Sequence, residues 1–381
     1  MMLRALHVYR TYFPDPPGGA QEAMRQICLA TSARGIENII FALSPRPDPA
    51  VLDRPEARVI RARSWGAPAS CDLGGLAAWR RYAALSREAD TVLHHFPWPY
   101  ADLLYHATRP KAPAVMLYHS DIVRQRRLGR AYMPLMWRTL RAMRAIVATS
   151  PAYARTSAVL SDPSIRRKVR VIPLGIEESS YPKDGDDRVF ARIGLDIDAP
   201  FFLFVGVLRY YKGLDFLIRA AREVKAGIVI AGSGPEGERL RRLRDEIGAD
   251  NVIFAGQVSD AEKVALFRRC RALALPSHLR SEAYGMALVE AAMFGRPRIS
   301  CEIGTGTSFV NEHEVSGLVV PPENPAALAD AMNTFLRDEA LARAVGQAAR
   351  ARYERLFSGA ALGQAYAELF GELVSGGHAS G

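Results

Sequence analysis

The feature that most constrains the fold is the alternation, along the whole chain, of short apolar runs with longer amphipathic stretches of helical period. Strands that alternate with helices form βαβ units, and such units build parallel sheets. In the first half, strands are predicted at residues 5–9, 39–42, 91–95, 114–118, 145–149 and 169–172. In the second half, they are predicted at residues 201–206, 227–232, 252–255, 272–275, 298–301 and 317–320. We therefore expect an α/β protein.

The two sets of strands are separated by a turn-rich, acidic stretch at residues 173–187, PLGIEESSYPKDGDD, which has the composition of an interdomain linker. A chain of 381 residues is long enough for two domains. We predict two doubly wound, Rossmann-like domains, residues 1–180 and 181–357, that face a central cleft. Because such sheets bind ligands at the carboxyl ends of their strands, functional residues are expected in the loops that follow the strands.

The cysteines and the apolar runs of the chain indicate the cellular compartment in which the protein works. The cysteines Cys28, Cys71, Cys270 and Cys301 lie far apart, which indicates neither a disulfide framework nor a zinc site. The first residues predict a strand, because Arg4 and His7 interrupt an apolar run that is too short for a signal peptide. No apolar run approaches the roughly 20 residues that span a bilayer. We expect a cytoplasmic protein.

The positive charge is concentrated in the first half of the chain. Residues 1–180 contain 26 Lys and Arg against 14 Asp and Glu, whereas residues 181–381 contain 24 against 26. A basic domain can face nucleic acid or an anionic membrane. The arginine usage of a high-GC genome would produce the same excess without a function. Nucleic acid is disfavoured, because the arginines of residues 124–144 are not interleaved with aromatic platforms.

Residues 122–146 contain seven arginines and no acid. Their apolar residues are Met133, Leu135, Met136, Trp137, Leu140 and Met143. A basic amphipathic helix lies in the membrane interface and favours anionic lipid. We predict peripheral association with the inner face of the plasma membrane, although Met136, Leu140 and Met143 at helical spacing could equally be core.

Two loops of the first half are candidates for ligand binding. Gly18 and Gly19 precede a helix near Ala20, where backbone can approach a ligand and a helix N-terminus attracts anions; a plain tight turn explains them equally well. The stretch VMLYHSD places His119 at the carboxyl end of a strand, with Asp121 two residues later. A lone histidine is more often a structural hydrogen-bonding group.

Two loops of the second half follow strands. Arg209 and Lys212 lie in LRYYKG, where a guanidinium and an ammonium suit a diphosphate, unless they are simply solvated loop cations. The stretch AGSGPEG matches G-x-G-x-x-G at Gly232, Gly234 and Gly237. No acidic strand end follows at the distance that a dinucleotide-binding fold requires, so a glycine turn that packs helix against strand is the better interpretation.

The stretch SEAYGMALVEAAMFGRP carries Glu282 and Glu290 in otherwise small or apolar surroundings. A helix is predicted from near Gly285 to a C-terminal cap at Gly295, with Glu282 in the preceding loop and Glu290 in the second turn. The amides at the helix N-terminus belong to Gly285, Met286, Ala287 and Leu288. Free amides bind phosphate oxygens, and carboxylates accept hydrogen bonds from vicinal hydroxyls. The pattern therefore predicts a nucleotide-sugar site.

The same stretch resembles the Glu-x7-Glu motif of the retaining glycosyltransferases of family 4, which have the GT-B fold. The resemblance covers the chain in order: GG after the first strand, YHSD, LRYYKG, AGSGP, the glutamate pair and GLVVPPENP. HVYRTYFPDPPGGAQEAM and CEIGTGTSFVNE are similar to mannosyl- and rhamnosyltransferases of bacterial O-antigen (lipopolysaccharide) assembly. The resemblance implies GDP-mannose or GDP-rhamnose as the donor and a glycan or lipid-linked acceptor.

The family also implies a role for each matching residue. Glu282 would contact the donor hexose and Glu290 the ribose, while Arg209 and Lys212 would bind the diphosphate. Gly18 and Gly19 belong to the loop that approaches the phosphates from the other domain, and His119 would lie beside the transferred sugar. The amides of residues 286–288 would complete the phosphate site, and Gln257 and Val258 would bracket the base. Residues 358–381 would form a helix that crosses back to the first domain.

The predicted reaction is hexosyl transfer with retention, without a metal or cofactor. Asp196 and Asp198, in a loop before a strand, and Asp186 and Asp187, in the linker, are not placed to bind a metal. No third acid is evident for a covalent intermediate, so we favour same-face displacement, which the family also implies. A sugar-nucleotide epimerase or a glycan phosphorylase of the same fold is the alternative. The first needs an acid or base pair at the anomeric carbon, and the second usually needs a lysine-linked pyridoxal phosphate.

Overall fold

The computed structural model describes residues 2–15, 18–68, 71–122 and 126–378. The chain divides into two compact units, of which unit 1 comprises Met1–Gly175 with Gly359–Gly381 and unit 2 comprises Ile176–Ser358. Ile176 forms a β-bridge with Ser358, so the two ends of unit 2 lie side by side. These boundaries lie a few residues from the divisions at 180 and 357 that the sequence suggests.

Unit 1 is built on one sheet flanked by helices. Its strands are β1 Arg4–Val8, β2 Glu37–Ser44, β3 Val51–Asp53, β4 Arg58–Gly66, β5 Leu73–Gly74, β6 Thr91–Phe96, β7 Ala114–Tyr118, β8 Ala145–Ala148 and β9 Val169–Val171. Its helices are α1 Gly19–Ser32, α2 Leu76–Glu88, α3 Pro99–Thr108, α4 Arg126–Ala142, α5 Pro151–Thr156 and α14 Gly359–His378. The first strand is therefore where the sequence predicts it.

The sheet of unit 1 has the order β3-β4-β2-β1-β6-β7-β8-β9, with β5 paired to β4. Only β3 and β5 are antiparallel to their neighbour, and the other strands are parallel. The sequence prediction missed β3, β4 and β5. Two of these are only two or three residues long, and arginines interrupt the apolar residues of β4, RVIRARSWG, which lies between β3 and β2.

Unit 2 has six strands: β10 Phe201–Val205, β11 Gly227–Ala231, β12 Val252–Gly256, β13 Ala272–Leu275, β14 Arg298–Cys301 and β15 Leu318–Val320. Its helices are α6 Arg188–Ile193, α7 Leu214–Ala220, α8 Gly237–Ile247, α9 Asp260–Arg269, α10 Met286–Met293, α11 Thr307–Val310, α12 Pro325–Arg337 and α13 Glu339–Leu356. All six strands are parallel, in the order β12-β11-β10-β13-β14-β15. The predicted α/β class with parallel, doubly wound sheets is confirmed.

The last helix, α14, packs on α1 within unit 1. Gly363 lies so close to α1 that an added Cβ would come within 2.4 Å of the Ala30 carbonyl oxygen. Arg34 donates a hydrogen bond to the Gln364 side chain at 2.6 Å. Part of the tail SGGHASG, residues 379–381, lies outside the described residues.

The cysteines and the helices bear on the compartment that the sequence suggests. None of the four cysteines forms a disulfide, and three of them are buried. Among the described residues, no helix has the length and apolar character needed to cross a bilayer.

The basic stretch at residues 122–146 forms α4, with residues 123–125 outside the described part. Met136, Leu140 and Met143 are buried, so these three belong to the core of unit 1, as the alternative interpretation holds. The exposed surface of this segment instead carries Arg130, Arg138, Arg141 and Arg144, with Met133 at 45% exposure.

Candidate active site

The predicted site residues of unit 2 gather where its strand order reverses. From β10 the chain proceeds outward through β11 and β12, and then returns to place β13 on the other side of β10. The loops after β10 and β13 therefore leave the same edge of the sheet at neighbouring positions, which is where doubly wound sheets bind ligands. Arg209 and Lys212 come from the first loop, and Ser277 and Glu282 from the second.

Glu282 lies in the loop before α10, as predicted, and is only 8% exposed. Its Oε2 atom accepts hydrogen bonds from the Lys212 ammonium and, at 3.0 Å, from the Ser277 hydroxyl. Within the described residues, its Oε1 atom has no hydrogen-bond partner. One oxygen is thus committed to the protein, and the other is available to a ligand.

The ammonium of Lys212 is held in its charged form. Burial is the largest single influence and would lower the pKa of Lys212, but the charge of Glu282, its hydrogen bond to the ammonium and the nearby Tyr211 and Glu290 together raise the pKa above its usual value. The Lys212 and Glu282 side chains are 12% and 11% exposed, so this ion pair is largely desolvated. Such a pair fixes the positions of both groups.

Glu290 lies in the second turn of α10, as predicted, and is 9% exposed. Its Oε1 atom accepts hydrogen bonds from the Tyr181 hydroxyl and, at 3.0 Å, from the Lys263 ammonium. The Lys263 ammonium also lies 4.6 Å from the centre of the Tyr181 ring, a cation–π contact. Within the described part of the chain, no partner contacts the Glu290 Oε2 atom.

The pKa of Lys263 is raised as well. Burial opposes this shift and would lower the pKa, but the charge of Glu290, followed by that of Asp260, more than compensates. The two glutamates are therefore held in the same way. Each has one oxygen bound by a lysine and a hydroxyl group, and one oxygen with hydrogen-bonding capacity to spare.

The N-terminus of α10 lies between the two glutamates. Gly285 caps the helix with a φ of +86°, a left-handed conformation that favours glycine. Among the described residues, no acceptor contacts the amides of Met286 and Ala287. The prediction that the Leu288 amide is also free is wrong, because it donates to the Gly285 carbonyl at 2.9 Å and closes the first turn.

Arg209 precedes a one-turn 3-10 helix, Tyr210–Lys212, that ends at Gly213. Gly213 has a φ of +65°, and an added Cβ would lie 2.1 Å from the Pro276 carbonyl oxygen, so the loops after β10 and β13 are in direct contact there. The exposed Arg209 guanidinium has no carboxylate partner within the described residues. It is a cation available to an anionic ligand.

The glycines of AGSGP allow two backbone segments to approach each other. A Cβ on Gly232 would lie 2.0 Å from the Gly206 carbonyl oxygen, and one on Gly234 would lie 2.5 Å from that of Leu208. The prediction that these glycines pack a helix against a strand is wrong about the partner, because Gly232 and Gly234 instead let the loop after β11 approach the loop after β10. The contact fixes the loop that carries Arg209.

Gln257 and Val258 follow β12 at the same edge of the sheet. The Gln257 side chain is exposed, and its Oε1 atom accepts a hydrogen bond from Ser233 at 3.2 Å. This bond ties the loop after β12 to the loop after β11. The role of Gln257 and Val258 toward a base stays a prediction.

Unit 1 carries the remaining predicted residues. Gly18 caps α1 and Gly19 is its first residue, while Pro16 and Pro17 of the same loop lie outside the described residues. His119 follows β7 and is partly buried, and its Nε2 atom lies 2.9 Å from the Nδ1 atom of His95. Asp121 accepts hydrogen bonds from the hydroxyls of Tyr118 and Ser157, which makes it a structural residue here.

Of the residues that hold the glutamates, the sequence prediction named Lys212 but missed Ser277, Tyr181 and Lys263. Ser277 is five residues from Glu282, but Tyr181 and Lys263 are distant from Glu290 in sequence and reach it only through the fold. Lys263 also pairs with Asp260 three residues before it, which in the sequence is the ordinary pattern of a solvated helix face.

Comparison with known proteins identifies the class of protein to which this chain belongs. The family model "Glycosyl transferases group 1" matches residues 186–352, and the model "Glycosyltransferase Family 4" matches residues 17–180. Among solved structures, sucrose-phosphate synthase from Thermosynechococcus elongatus superposes with a TM-score of 0.80 at 23% identity, covering 98% of this chain and all of that one. WaaG, a glycosyltransferase involved in lipopolysaccharide biosynthesis, gives 0.67 at 17%, covering 96% and 99%. The fold is that of the GT-B glycosyltransferases.

Two relatives that match nearly the whole chain identify its family. The O-antigen chain mannosyltransferase C of Escherichia coli is 40% identical over 98% of this chain and 99% of that protein. The D-rhamnosyltransferase WbpZ of Pseudomonas aeruginosa is 43% identical over 93% of this chain and 92% of that protein. The chain belongs to glycosyltransferase family 4, as its sequence motifs indicate.

Proposed function

We propose that this enzyme transfers a mannose or rhamnose residue from a GDP-sugar to a glycan or lipid-linked acceptor in O-antigen synthesis. The sugar and the pathway are suggested by the names of the two relatives that match nearly the whole chain. The observation that carries the chemistry is the pair of buried glutamates, each with one oxygen bound by a lysine and the other uncommitted. Two such acceptors on either side of a helix N-terminus suit a ligand that has hydroxyls at both ends and phosphates between.

In this proposal Glu290 accepts the ribose hydroxyls and Glu282 accepts hydroxyls of the hexose. The diphosphate contacts the amides of Met286 and Ala287 together with the Arg209 guanidinium and the Lys212 ammonium. As the bond to the anomeric carbon breaks, negative charge grows on the diphosphate, and these fixed donors stabilise it. His119 accepts a hydroxyl of the transferred sugar.

The same arrangement supports retention without a metal. The acceptor hydroxyl attacks the face from which the diphosphate departs, and its proton passes to the leaving phosphate oxygen. Two cations and helix amides supply the charge stabilisation that a divalent ion provides in other transferases. Retained configuration follows from attack on the same face.

The donor is tested by thermal unfolding of the purified protein with a panel of nucleotide sugars. GDP-mannose or GDP-rhamnose at 100 times its dissociation constant should add roughly 2.7 kcal/mol to the free energy of unfolding. UDP- and dTDP-sugars at equal concentration, and mannose 1-phosphate, serve as controls and should produce smaller shifts. Stabilisation by a UDP-sugar alone would contradict the assignment of the base.

The mechanism makes a separate prediction about metal and stereochemistry. Turnover of the stabilising donor should be unchanged by an excess of EDTA, because the diphosphate is neutralised by side chains. The anomeric proton coupling of the product, measured by NMR, should match the configuration of the donor. Loss of activity in EDTA that Mg²⁺ restores, or an inverted product, would contradict this mechanism.

We also propose that unit 1 contacts an anionic membrane through the exposed surface of α4 and the residues after it. This surface carries Arg130, Arg138, Arg141 and Arg144, together with the exposed side chain of Met133. Segment 126–146 contains no acidic residue to oppose them. A lipid-linked acceptor would make such a contact useful.

Cosedimentation with vesicles tests the membrane contact. At low salt the protein should bind vesicles that contain anionic lipid more strongly than neutral ones, because each arginine near an anionic surface contributes about 1 kcal/mol. A variant with Arg138, Arg141 and Arg144 replaced by glutamine should lose most of this preference. A matched triple replacement of the exposed Arg239, Arg242 and Arg343 in unit 2 should keep it. Equal binding of the enzyme to both vesicle types would refute the contact.

A further inference from the structure

Three histidines and an asparagine form a hydrogen-bonded row across the sheet of unit 1. His119 Nε2 lies 2.9 Å from His95 Nδ1, His95 Nε2 lies 3.4 Å from His7 Nδ1, and His7 Nε2 lies 3.1 Å from Asn38 Oδ1. These four residues, which we call the imidazole row, run from β2 across β1 and β6 to the loop after β7. His7 and His95 are fully buried.

The strand register explains why the row forms. His7 pairs with Leu93, and His95 pairs with Leu117, so each successive histidine lies two residues further toward the carboxyl edge. Because side chains two residues apart share one face of a strand, all members of the row point to the same face. The row therefore begins inside unit 1 and ends at the edge where His119 lies.

The hydrogen bonds fix where each proton lies. The Asn38 amide nitrogen donates to the Cys28 carbonyl at 3.1 Å, so the Asn38 oxygen faces His7 and must accept from His7 Nε2. A neutral imidazole has one donor and one acceptor, so His7 Nδ1 accepts from His95 Nε2, and His95 Nδ1 accepts from His119 Nε2. His119 Nδ1 is then left without a proton, and within the described residues it has no hydrogen-bond partner.

The surroundings of the row favour neutral rings. Burial lowers the pKa of His7 and of His119 to about 4, and burial together with the neighbouring imidazoles lowers that of His95 well below its usual value. A further titratable side chain that contacts the row is Tyr9, whose ring centre lies 5.9 Å from that of His95 and 6.2 Å from that of His119. Burial raises the pKa of Tyr9, so it is neutral as well.

We propose that Asn38, His7 and His95 are positioning residues that fix the tautomer of His119, so that its Nδ1 atom is a permanent acceptor for a hydroxyl of the sugar substrate. The role of Nδ1 as an acceptor for the sugar rests on the proposed function, whereas the tautomer of His119 does not. An acceptor whose tautomer is already fixed binds a hydroxyl without the free-energy cost of changing its tautomer or ring orientation. The row thus extends the site to residues that never touch the substrate.

The tautomer is measured by two-bond ¹H–¹⁵N correlation NMR on the full chain with ¹⁵N-labelled histidine, with the His119 signals assigned by their loss in His119→Gln. His119 should carry its proton on Nε2. The variant His95→Phe removes the acceptor and should give a mixture of His119 tautomers. His95→Asn places an amide oxygen near the former Nδ1 position and should preserve the single form.

Binding provides the second readout. In His95→Phe the affinity for GDP-mannose should fall about 3- to 10-fold, the effect of one neutral hydrogen bond, while the affinity for GDP is unchanged. His94→Phe is the matched control, because His94 is equally buried on β6 but contacts Tyr82 on the opposite face. It should alter neither the His119 tautomer nor the affinity for GDP-mannose.

The outcomes separate the two proposals. A proton on Nδ1 of His119, or a tautomer unaffected by His95→Phe, would overturn the positioning role. If His95→Phe folds poorly, the unaltered chain and His95→Asn still test it, because a mixture of His119 tautomers in either would overturn it. Equal losses of GDP and GDP-mannose affinity would overturn the contact with the sugar. If the Nε2 tautomer is present but the enzyme binds neither GDP nor GDP-mannose, the donor assignment fails and the row remains.

Discussion

Replacing Glu290 with alanine is expected to weaken the binding of both GDP and the GDP-sugar, whereas replacing Glu282 with alanine should leave GDP affinity nearly intact and lower turnover. The reason is that the uncommitted oxygen of Glu290 is assigned to the ribose and that of Glu282 to the hexose. Loss of a hydrogen bond from a charged group costs about 1.5–3 kcal/mol, so each affected constant should change roughly 10- to 150-fold. Calorimetric titration of GDP into each folded variant measures the difference.

The experiment must distinguish the loss of a ligand contact from the loss of the ion pair between each carboxylate and its lysine. Glu290→Gln and Glu282→Gln keep an oxygen that can accept from Lys263 and Lys212, and they serve as milder partners of the alanine variants. A purely structural role predicts lower melting temperatures and equal damage to all ligands. Indistinguishable GDP affinities for Glu282→Ala and Glu290→Ala would refute the division of labour.

Replacing Lys212 with methionine is expected to reduce turnover by about 10²- to 10³-fold, the range observed when one preorganised donor to a developing charge is lost. The same change leaves the Glu282 carboxylate buried without its cation, which should also lower stability. The double variant Lys212→Met/Glu282→Gln removes the unpaired charge. It should recover stability without recovering turnover, measured as GDP released from the donor.

Lys263→Met is the matched comparison, because Lys263 holds Glu290 as Lys212 holds Glu282. Its loss should appear mainly as weaker GDP binding, with little change in the rate at saturating donor. If Lys212→Met and Lys263→Met have the same effect on the saturated rate, then Lys212 does not act on the departing diphosphate.

Much of the site could be predicted because its residues lie in short local patterns. Glu282, the N-terminus of α10 and Glu290 belong to one loop and one helix, so helix geometry alone determines their order. Arg209 and Lys212 follow a strand of the same sheet, which places them at the same edge. The error at Leu288 came from treating all first-turn amides alike, although the Gly285 carbonyl can close the turn.

The remaining features depend on contacts between distant parts of the chain. Lys263 and Tyr181 are far from Glu290 in sequence, and nothing local distinguishes them from surface residues. The imidazole row needs the register of β1, β6 and β7, which single-strand patterns do not reveal. The edge strands β3 and β5 were missed because they are too short for a pattern of alternation.

The position of α14 in the chain has a consequence for how the protein is made. Its buried residues Leu362, Tyr366 and Phe370 belong to unit 1, yet they follow all of unit 2 in the sequence. A ribosome that has just translated Ser358 has delivered every strand of both sheets, but not the helix that covers α1. The apolar surface of α1 that α14 covers therefore stays without its partner until α14 has been made. The unit whose synthesis begins first is completed only after all of unit 2 has been synthesised.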